Sequence, residues 1–408
     1  MTVRFIALRS RDFRLLLIGQ AISLTGSRMN EVAVVWQLYL LTHSPLALGM
    51  LGFFRVVPVI VFALGGGVVA DAVDRRLLML ISQVALAISS LGLAWSTWTG
   101  SVSEWTIYGL SAFAGIGFAF DLPARQALMP QLVTREELPN ALSLYATVFQ
   151  IATIAGPALG GAVLASLGVL PIYVFDALSF GAVIAALLAM EHRAPGRGLA
   201  HVSKHAALEG LRFIQQTPLI WSTMLLDFVA TFFGGSMLLL PIFADQLFRV
   251  GPRGLGLLYA AQPVGAGIAG AVLSAMPTIR RQGAIMLASV AAYGIAVAVF
   301  GAAPWFWLGF VALAASGAAD TVSMVIRQTL RQLLTPDQLR GRMTAINMIF
   351  FTGGPQLGEV EAGAVAKAFT PRISVWSGGL LCTVAAALVA VLVPSLRRYQ
   401  SHDLPQVR

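Results

Sequence analysis

Long apolar stretches separated by short polar connections fill almost the whole chain. Each stretch is about 20 residues or longer, which is the length that an α-helix needs to cross the hydrocarbon core of a bilayer. The 408-residue chain therefore predicts an all-α membrane protein with twelve transmembrane helices. We place them near residues 14–41, 46–70, 77–97, 105–124, 140–166, 171–190, 219–245, 254–276, 283–301, 304–326, 343–367 and 373–394.

The composition agrees with a chain whose main solvent is lipid. Hydrophobic residues make up 57% and charged residues 11%, whereas a soluble domain carries roughly 25% charged residues. The net charge of +9 does not predict a nucleic-acid partner, because the basic residues punctuate apolar runs and form no clustered basic surface. The lipid bilayer is therefore the predicted surrounding of this protein.

The basic residues also predict the orientation, because Lys and Arg accumulate in cytoplasmic loops. With a cytoplasmic N-terminus the inner segments hold 21 basic residues, and the outer segments hold four, Arg249, Arg253, Lys367 and Arg372. We predict a multi-pass protein of the cell (inner) membrane with both termini in the cytoplasm.

The chain divides into two halves that resemble each other. The longest polar connection, residues 191–218, separates an N-terminal half (1–190) from a C-terminal half (219–408). "RQALMPQLVTREEL" (125–138) matches "RQTLRQLLTPDQL" (327–339), and "GPALG" (156–160) matches "GPQLG" (354–358). Two related six-helix halves are a transporter plan, in which the substrate site lies between the halves near the membrane midplane.

The turn between the second and third helices carries "GGVVADAVDRR". Gly67, Asp71, Arg75 and Arg76 resemble the signature loop of the major facilitator superfamily, although Ala72 and Asp74 depart from it. The resemblance implies that Asp71 latches the outward-open form against the start of helix 11. The alternative is that these are only the charges that fix the loop in the cytoplasm.

"GPALGG" in helix 5 resembles the motif of proton-coupled antiporters in the same superfamily. It consists here of Gly156, Pro157, Gly160 and Gly161, and small residues of this kind also permit ordinary close helix packing. Ser111 stands where the superfamily's helix 4 arginine motif falls, so that arginine is not available for coupling.

Three longer stretches resemble the enterobactin-exporter-like branch of the superfamily. They are "DLPARQALMPQLV", "LLDFVATFFGGSMLLLPIFA" and "NMIFFTGGPQLGEVEAGAVA". The resemblance extends over essentially the whole chain and implies the major facilitator fold and an export direction.

Charged residues within the helices are candidates for function, because they are costly in lipid. Arg28 and Glu31 share a face of helix 1, and Arg55 lies at the same depth of the helix 1–2 hairpin, so we predict a Glu31–Arg55 contact with Arg28 nearby. This group either couples protons or only neutralises its own charges.

Other acids lie deeper along the chain. Asp227 is predicted to be a cavity acid of helix 7, and Asp121 is predicted to form an interfacial salt bridge with Arg125 at i+4. Asp176 and Asp320 have no partner that spacing identifies.

The segment "GPQLGEVEAGAV" holds Glu359 and Glu361. Residues two apart diverge by about 200° around a helix, so the two carboxylates cannot share a face. An acid withdrawn from water favours its protonated form, and we predict that one of them, Glu359 in preference, loads and releases protons. The alternative is that Glu361 is hydrated near Lys367 and Arg372.

These features together predict a secondary active transporter that exports a small hydrophobic or amphipathic molecule, siderophore- or drug-like, by proton antiport. A proton-coupled importer of the same fold, a channel and a membrane enzyme are the alternatives. The five histidines fall in loops or the tail, and no "GxxxxGK[ST]" phosphate loop occurs. We therefore expect no enzyme activity, no cofactor and no metal, and we expect a monomer.

Overall fold

The computed structural model describes residues 5–191, 217–276, 279–336 and 339–400, except for the side chains of 63–72, 340–342, 344–346 and 348–352. Every regular element in this part of the chain is helical. The long helices are α1 (Arg11–Thr42), α2 (Pro45–Ala72), α3 (Arg75–Trp98), α4 (Glu104–Leu128), α5 (Leu138–Leu167), α6 (Leu170–Ala189), α7 (Pro218–Leu247, in pieces), α8 (Gly251–Ala275), α9 (Gln282–Ala302), α10 (Phe306–Leu334), α11 (Arg340–Ala368) and α12 (Pro371–Leu392).

The helices are membrane-spanning by length and composition. Ten helices in the described part of the chain qualify as candidate spans, and α1 and α11, of 32 and 29 residues, are also long enough to cross. Five exposed tryptophans lie at or near helix ends that face the same predicted outer side, as in an interfacial aromatic belt: Trp95, Trp98, Trp105, Trp305 and Trp307. The prediction of an all-α membrane fold with about twelve helices is confirmed.

The chain forms two compact units. The first combines Met1–His43, Phe53–His201 and Gly251–Ala260, and the second combines Ser44–Gly52, Val202–Val250 and Ala261–Arg408. The units therefore follow the two halves of the sequence, except that the first residues of α2 and of α8 each belong to the unit of the opposite half.

Equivalent helix pairs build both units. In the first unit α1 packs on α5 and α6, while α3 packs on α4 and α6. In the second unit α7 packs on α11 and α12, while α9 packs on α10 and α12. Each pair recurs with its helix numbers increased by six, which is the arrangement that two related six-helix repeats require.

Helix α7 is broken where the sequence pattern predicted one continuous helix over 219–245. Its regular first part ends at Phe233, and short 3₁₀, α and π pieces follow from Met237 to Leu247. Gly234 and Gly235 occupy the break, and a Cβ on Gly235 would lie 3.0 Å from the backbone of Gly358 in α11. The break thus lets α11 approach α7 closely. Backbone groups at such a break need partners from outside the helix.

Helices α9 and α12 cross at two glycines. A Cβ on Gly294 would lie 2.6 Å from the Gly379 carbonyl oxygen, and a Cβ on Gly379 would lie 2.5 Å from the Gly294 carbonyl oxygen. Because both obstacles are backbone, a larger side chain could be accommodated only by separating the helices.

We expect Gly379→Ala to destabilise the protein by about 1–3 kcal/mol, the usual cost of overpacking. Gly181→Ala in α6 is the matched control, because nothing lies within 4 Å of a Cβ there and alanine has the higher helix propensity. Thermal unfolding in detergent measures both variants. Equal melting temperatures for the two would contradict the proposed close crossing.

Candidate transport site: the intramembrane charges

The charged pair of α1 is formed by neighbours on one helix. Arg28 Nη1 lies 2.9 Å from Glu31 Oε2, and the two side chains are 30% and 38% exposed. The Arg28 guanidinium also lies 5.4 Å from the ring centroid of Phe149 in α5. Arg55, the predicted partner, forms no ion pair with Glu31 among the described residues. The i,i+3 geometry of one helix fixes the Arg28 contact, whereas contact with Arg55 depends on how α2 is positioned.

The predicted Asp121–Arg125 pair is present at the end of α4. The carboxylate and guanidinium are 3.5 Å apart and nearly completely buried. Gln83 Nε2 donates to Asp121 at 2.7 Å, and Arg125 donates to Gln20 Oε1 at 2.7 Å. The pair therefore joins α1, α3 and α4 within the unit, and it is more deeply buried than an exposed surface pair would be.

Two arginines of α10 enclose Asp227. The sequence pattern had placed both of them in an inner connecting segment and not in a helix. Arg327 and Arg331 approach the Asp227 carboxylate to 3.0 and 3.2 Å, and all three side chains are at most 5% exposed. Arg327 also lies 3.2 Å from Asp320, whose side chain is 45% exposed. Asp227 is thus a buried anchor between α7 and α10, and Asp320 gains the partner that spacing did not identify.

The two buried clusters are related by the sequence repeat. Arg125 and Arg327 are the first residues of the matching segments, and Gln20 and Asp227 each lie nine residues beyond the first residue of their helices. The arginine therefore donates to a neutral amide of α1 in the first unit and pairs with a carboxylate of α7 in the second.

Glu359 and Glu361 occupy different surroundings, as their spacing predicted. Glu359 is buried and accepts hydrogen bonds from the backbone N–H groups of Met237 and Leu238, at 2.9 and 3.0 Å. Because N–H groups in the first turn of a helix need a partner from outside that turn, Glu359 caps the second part of α7 at the break. Glu361 is only partly buried.

Asp176 in α6 is buried and bound by neutral side chains. Ser90 and Asn30 donate to one carboxylate oxygen at 2.6 and 2.7 Å, and Ser27 donates to the other at 3.2 Å. Spacing along the chain could not predict these contacts, because the donors come from α1 and α3.

The antiporter-like motif packs α5 against its neighbours. A Cβ on Gly156 would lie 2.5 Å from the Arg28 Cβ, and a Cβ on Gly160 would lie 2.9 Å from the Met29 Cα. A Cβ on Gly161 would lie 2.6 Å from the Pro252 carbonyl oxygen, and Pro157 is buried. The motif thus brings the α5 backbone directly onto the helix that carries Arg28.

The predicted gating loop is only partly described. Asp74 caps α3 by accepting from the N–H groups of Arg76 and Leu77, Arg75 is buried, and Arg76 donates to the Leu188 carbonyl. Gly67 and Asp71 lie in α2, but their side chains fall outside the described part, as does that of Arg340 at the start of α11. The latch therefore stays a prediction.

No group of three or more His, Cys, Asp and Glu side chains that could hold a metal ion occurs among the residues described. The charged clusters instead pair acids with arginines or neutral donors. Such a set of buried and half-exposed charges is typical of an ion- or substrate-conducting membrane protein.

The chain matches the family profile of transmembrane secretion effectors over residues 2–407. It belongs to that family, which is part of the major facilitator superfamily, and it is a membrane transporter and not an enzyme.

Among curated proteins the chain is similar to the enterobactin exporter EntS. The protein of Shigella boydii serotype 18 (strain CDC 3083-94 / BS512) is 28% identical over 395 residues, which cover 97% of this chain and 94% of the relative. That of Escherichia coli O139:H28 (strain E24377A / ETEC) is 27% identical over the same shares.

Solved structures share the fold. A bacterial homologue of the human lysosomal transporter Spinster matches with a TM-score of 0.76 at 15% identity, over 96% of this chain and 99% of that one. A bacterial homologue of the iron transporter ferroportin matches with a TM-score of 0.70 at 16% identity, over 95% and 99%. At these identities the likeness extends to the fold alone.

We expect Asp227→Asn to destabilise the protein by about 3–5 kcal/mol, because it leaves two buried guanidinium groups without their carboxylate. Asp320→Asn removes another partner of Arg327 from a more exposed position and should cost far less. Thermal unfolding of the two variants in detergent makes the comparison. If Asp320→Asn proved as harmful as Asp227→Asn, burial would not be the deciding factor.

Proposed function

We propose that this transporter exports a small amphipathic molecule of the siderophore or drug type across the cell (inner) membrane. The observation that carries the proposal is the similarity to enterobactin exporters along 97% of the chain. At 27–28% identity the relatives indicate a substrate class, and enterobactin itself is one member of that class.

The Arg28–Glu31 pair supports a polar, aromatic substrate. Charged side chains inside a membrane protein face the protein interior or a water-filled cavity, so a pair that stays about one-third exposed is best explained by a cavity. Arg28 offers a guanidinium there, and Phe149 beside it offers an aromatic face. A guanidinium beside a ring suits a molecule that combines acidic hydroxyl or carboxyl groups with an apolar body.

Proton antiport is the proposed driving reaction. The "GPALGG" motif supports it, and Glu359 supplies an acid placed to link a proton to a shape change. When Glu359 takes up a proton, one of its oxygens becomes a donor and the acid accepts less well from the N–H groups at the α7 break. Proton uptake would therefore loosen the cap of α7, and proton release would restore it.

In this proposal both termini lie in the cytoplasm, as the distribution of basic residues predicts. The working unit is a monomer. An importer that moves substrate and proton together has the same fold and stays the main alternative. The direction of proton movement separates the two.

Purified protein in liposomes with an internal pH indicator tests the proposal. We expect transport of a catecholate siderophore to be accompanied by proton movement in the opposite direction. A hydroxamate siderophore and a lipophilic drug are assayed in the same way, and the three transport rates rank the substrate specificity. Protein-free liposomes are the control. Protons that move with the substrate would establish symport, and substrate flux without proton movement would reject proton coupling.

The two acids of α11 should differ in the same assay. We expect Glu359→Gln, which keeps the shape but cannot ionise, to flatten the pH dependence of transport while substrate binding persists. Glu361→Gln is the matched control two residues away and should have the milder effect. Transport at several pH values decides between them: an unchanged dependence in Glu359→Gln removes it from coupling, and flattening only in Glu361→Gln reverses the assignment.

A further inference from the structure

Asp176 is a buried acid that the proposed transport cycle does not yet use. It lies six residues into the 20-residue helix α6, about 9 Å along its axis, and the residue is 1% exposed. Helices α1 and α3 both pack on α6 and both contribute side chains to its carboxyl group. The acid is therefore at membrane depth and enclosed on the sides from which its partners come.

All of its hydrogen-bond partners are neutral. Ser90, Asn30 and Ser27 donate to the carboxyl oxygens, and none of the ion pairs formed by the described residues includes Asp176. An ionised carboxylate without a counter-charge is unstable in an apolar interior, where such a group neutralises itself instead. Asp176 differs in this from Asp121 and Asp227, which have arginines.

The charges of the surrounding helices are directed elsewhere. On α1, Arg28 is turned to Phe149 of α5 and pairs with Glu31. Arg55 of α2 forms no ion pair with Asp176 among the described residues. The remaining charges of the three packed helices lie far off, in the first turns of α1 and α3, and α5 has no charged residue.

The side-chain amide of Asn30, which contacts Asp176, is only partly hydrogen-bonded. Its Oδ1 atom is buried and has no hydrogen-bond donor among the described residues, although its Nδ2 atom donates to Asp176. The oxygen and nitrogen of an amide can exchange places by a rotation of the side chain. A protonated Asp176 would then donate to the Asn30 oxygen, and Nδ2 would occupy the position that the oxygen leaves, so the rotation changes which group of the amide faces the acid.

We propose that Asp176 is a proton-binding site of the first unit, separate from Glu359, in which Asn30 rotates between donating to the carboxylate and accepting from the carboxylic acid. We infer the binding of a proton by Asp176 from the surroundings of this residue alone. The exchange of that proton during transport rests, in addition, on the proposed antiport.

Polar side chains continue from Asp176 towards the end of the unit where α3 terminates. Tyr173 donates to Gln37 Oε1 at 2.7 Å, and Gln37 Nε2 donates to Thr97 at 2.9 Å. Thr97 is the next-to-last residue of α3. This row of hydroxyl and amide groups gives a proton a polar approach between α1, α3 and α6.

Infrared difference spectroscopy of the purified full-length protein tests the site directly. We expect a C=O stretching band of a protonated carboxylic acid that appears as the pH is lowered and is missing in Asp176→Asn. Ser90→Ala removes a donor to the carboxyl group and should shift this band. Ser89→Ala is the matched control, because its equally buried hydroxyl donates to the Leu110 carbonyl and should leave the band unchanged.

Three results would overturn the proposal. A carboxylate signal for Asp176 at every pH would show a permanently ionised structural acid, and a protonated band that never titrates would exclude exchange. A band that sodium ions abolish at constant low pH would indicate a cation site instead. If Asp176→Asn does not fold, the Ser90→Ala shift against the Ser89→Ala control still assigns the band.

The proteoliposome assay then separates the two proposals. A titrating Asp176 band in a protein without proton-coupled transport would leave the site standing and reject antiport. Proton-coupled transport with an unchanged pH dependence in folded Asp176→Asn would reject only the coupling role of Asp176.

Discussion

A charged side chain inside a bilayer has to find its partner within the protein, because lipid offers neither water nor counter-ions. This constraint determines how the helices of each unit are joined. Arg125 and Asp121 connect α4 to α1 and α3 through Gln20 and Gln83. Arg327 and Arg331 connect α10 to α7 through Asp227. Apolar packing has little directional preference in lipid, so these polar contacts fix which helix faces meet.

The two repeats satisfy the same constraint in different ways. The arginine at the start of the matching segments is retained in both, but its buried acid lies on its own helix in the first unit and on α7 in the second, where the half-exposed Asp320 of α10 is an additional partner. Gln20 takes the place of Asp227 in α1. The first unit thus holds its arginine with one i,i+4 carboxylate and an amide, whereas the second draws two arginines onto one carboxylate. The equivalent helices of the two units thus keep a common packing, while their charges are distributed differently.

The sequence predicted those features that depend on local geometry. Helix number followed from apolar length, and the Asp121–Arg125 pair followed from i,i+4 spacing. Contacts between helices were harder to predict: Arg55 was named as the partner of Glu31 because it lies at the same depth, although depth does not determine the direction of a side chain. The partners of Asp227 could have been found, because the repeat places Arg327 where Arg125 stands. The donors to Asp176 could not, since serine and asparagine in apolar helices carry no pairing signal.

The acids differ in whether they can lose their charge without harm to their neighbours. Protonation of Asp227 or Asp121 would leave a buried guanidinium unneutralised, which costs more than the acid gains. These residues are therefore suited to hold helices together. Asp176 is bound by hydroxyl and amide groups, which can reverse their hydrogen bonds at small cost, and Glu359 is bound by backbone N–H groups at a break that can rearrange. The proposed proton-driven cycle needs acids of this second kind, and Asp176 in the first unit and Glu359 in the second meet that requirement.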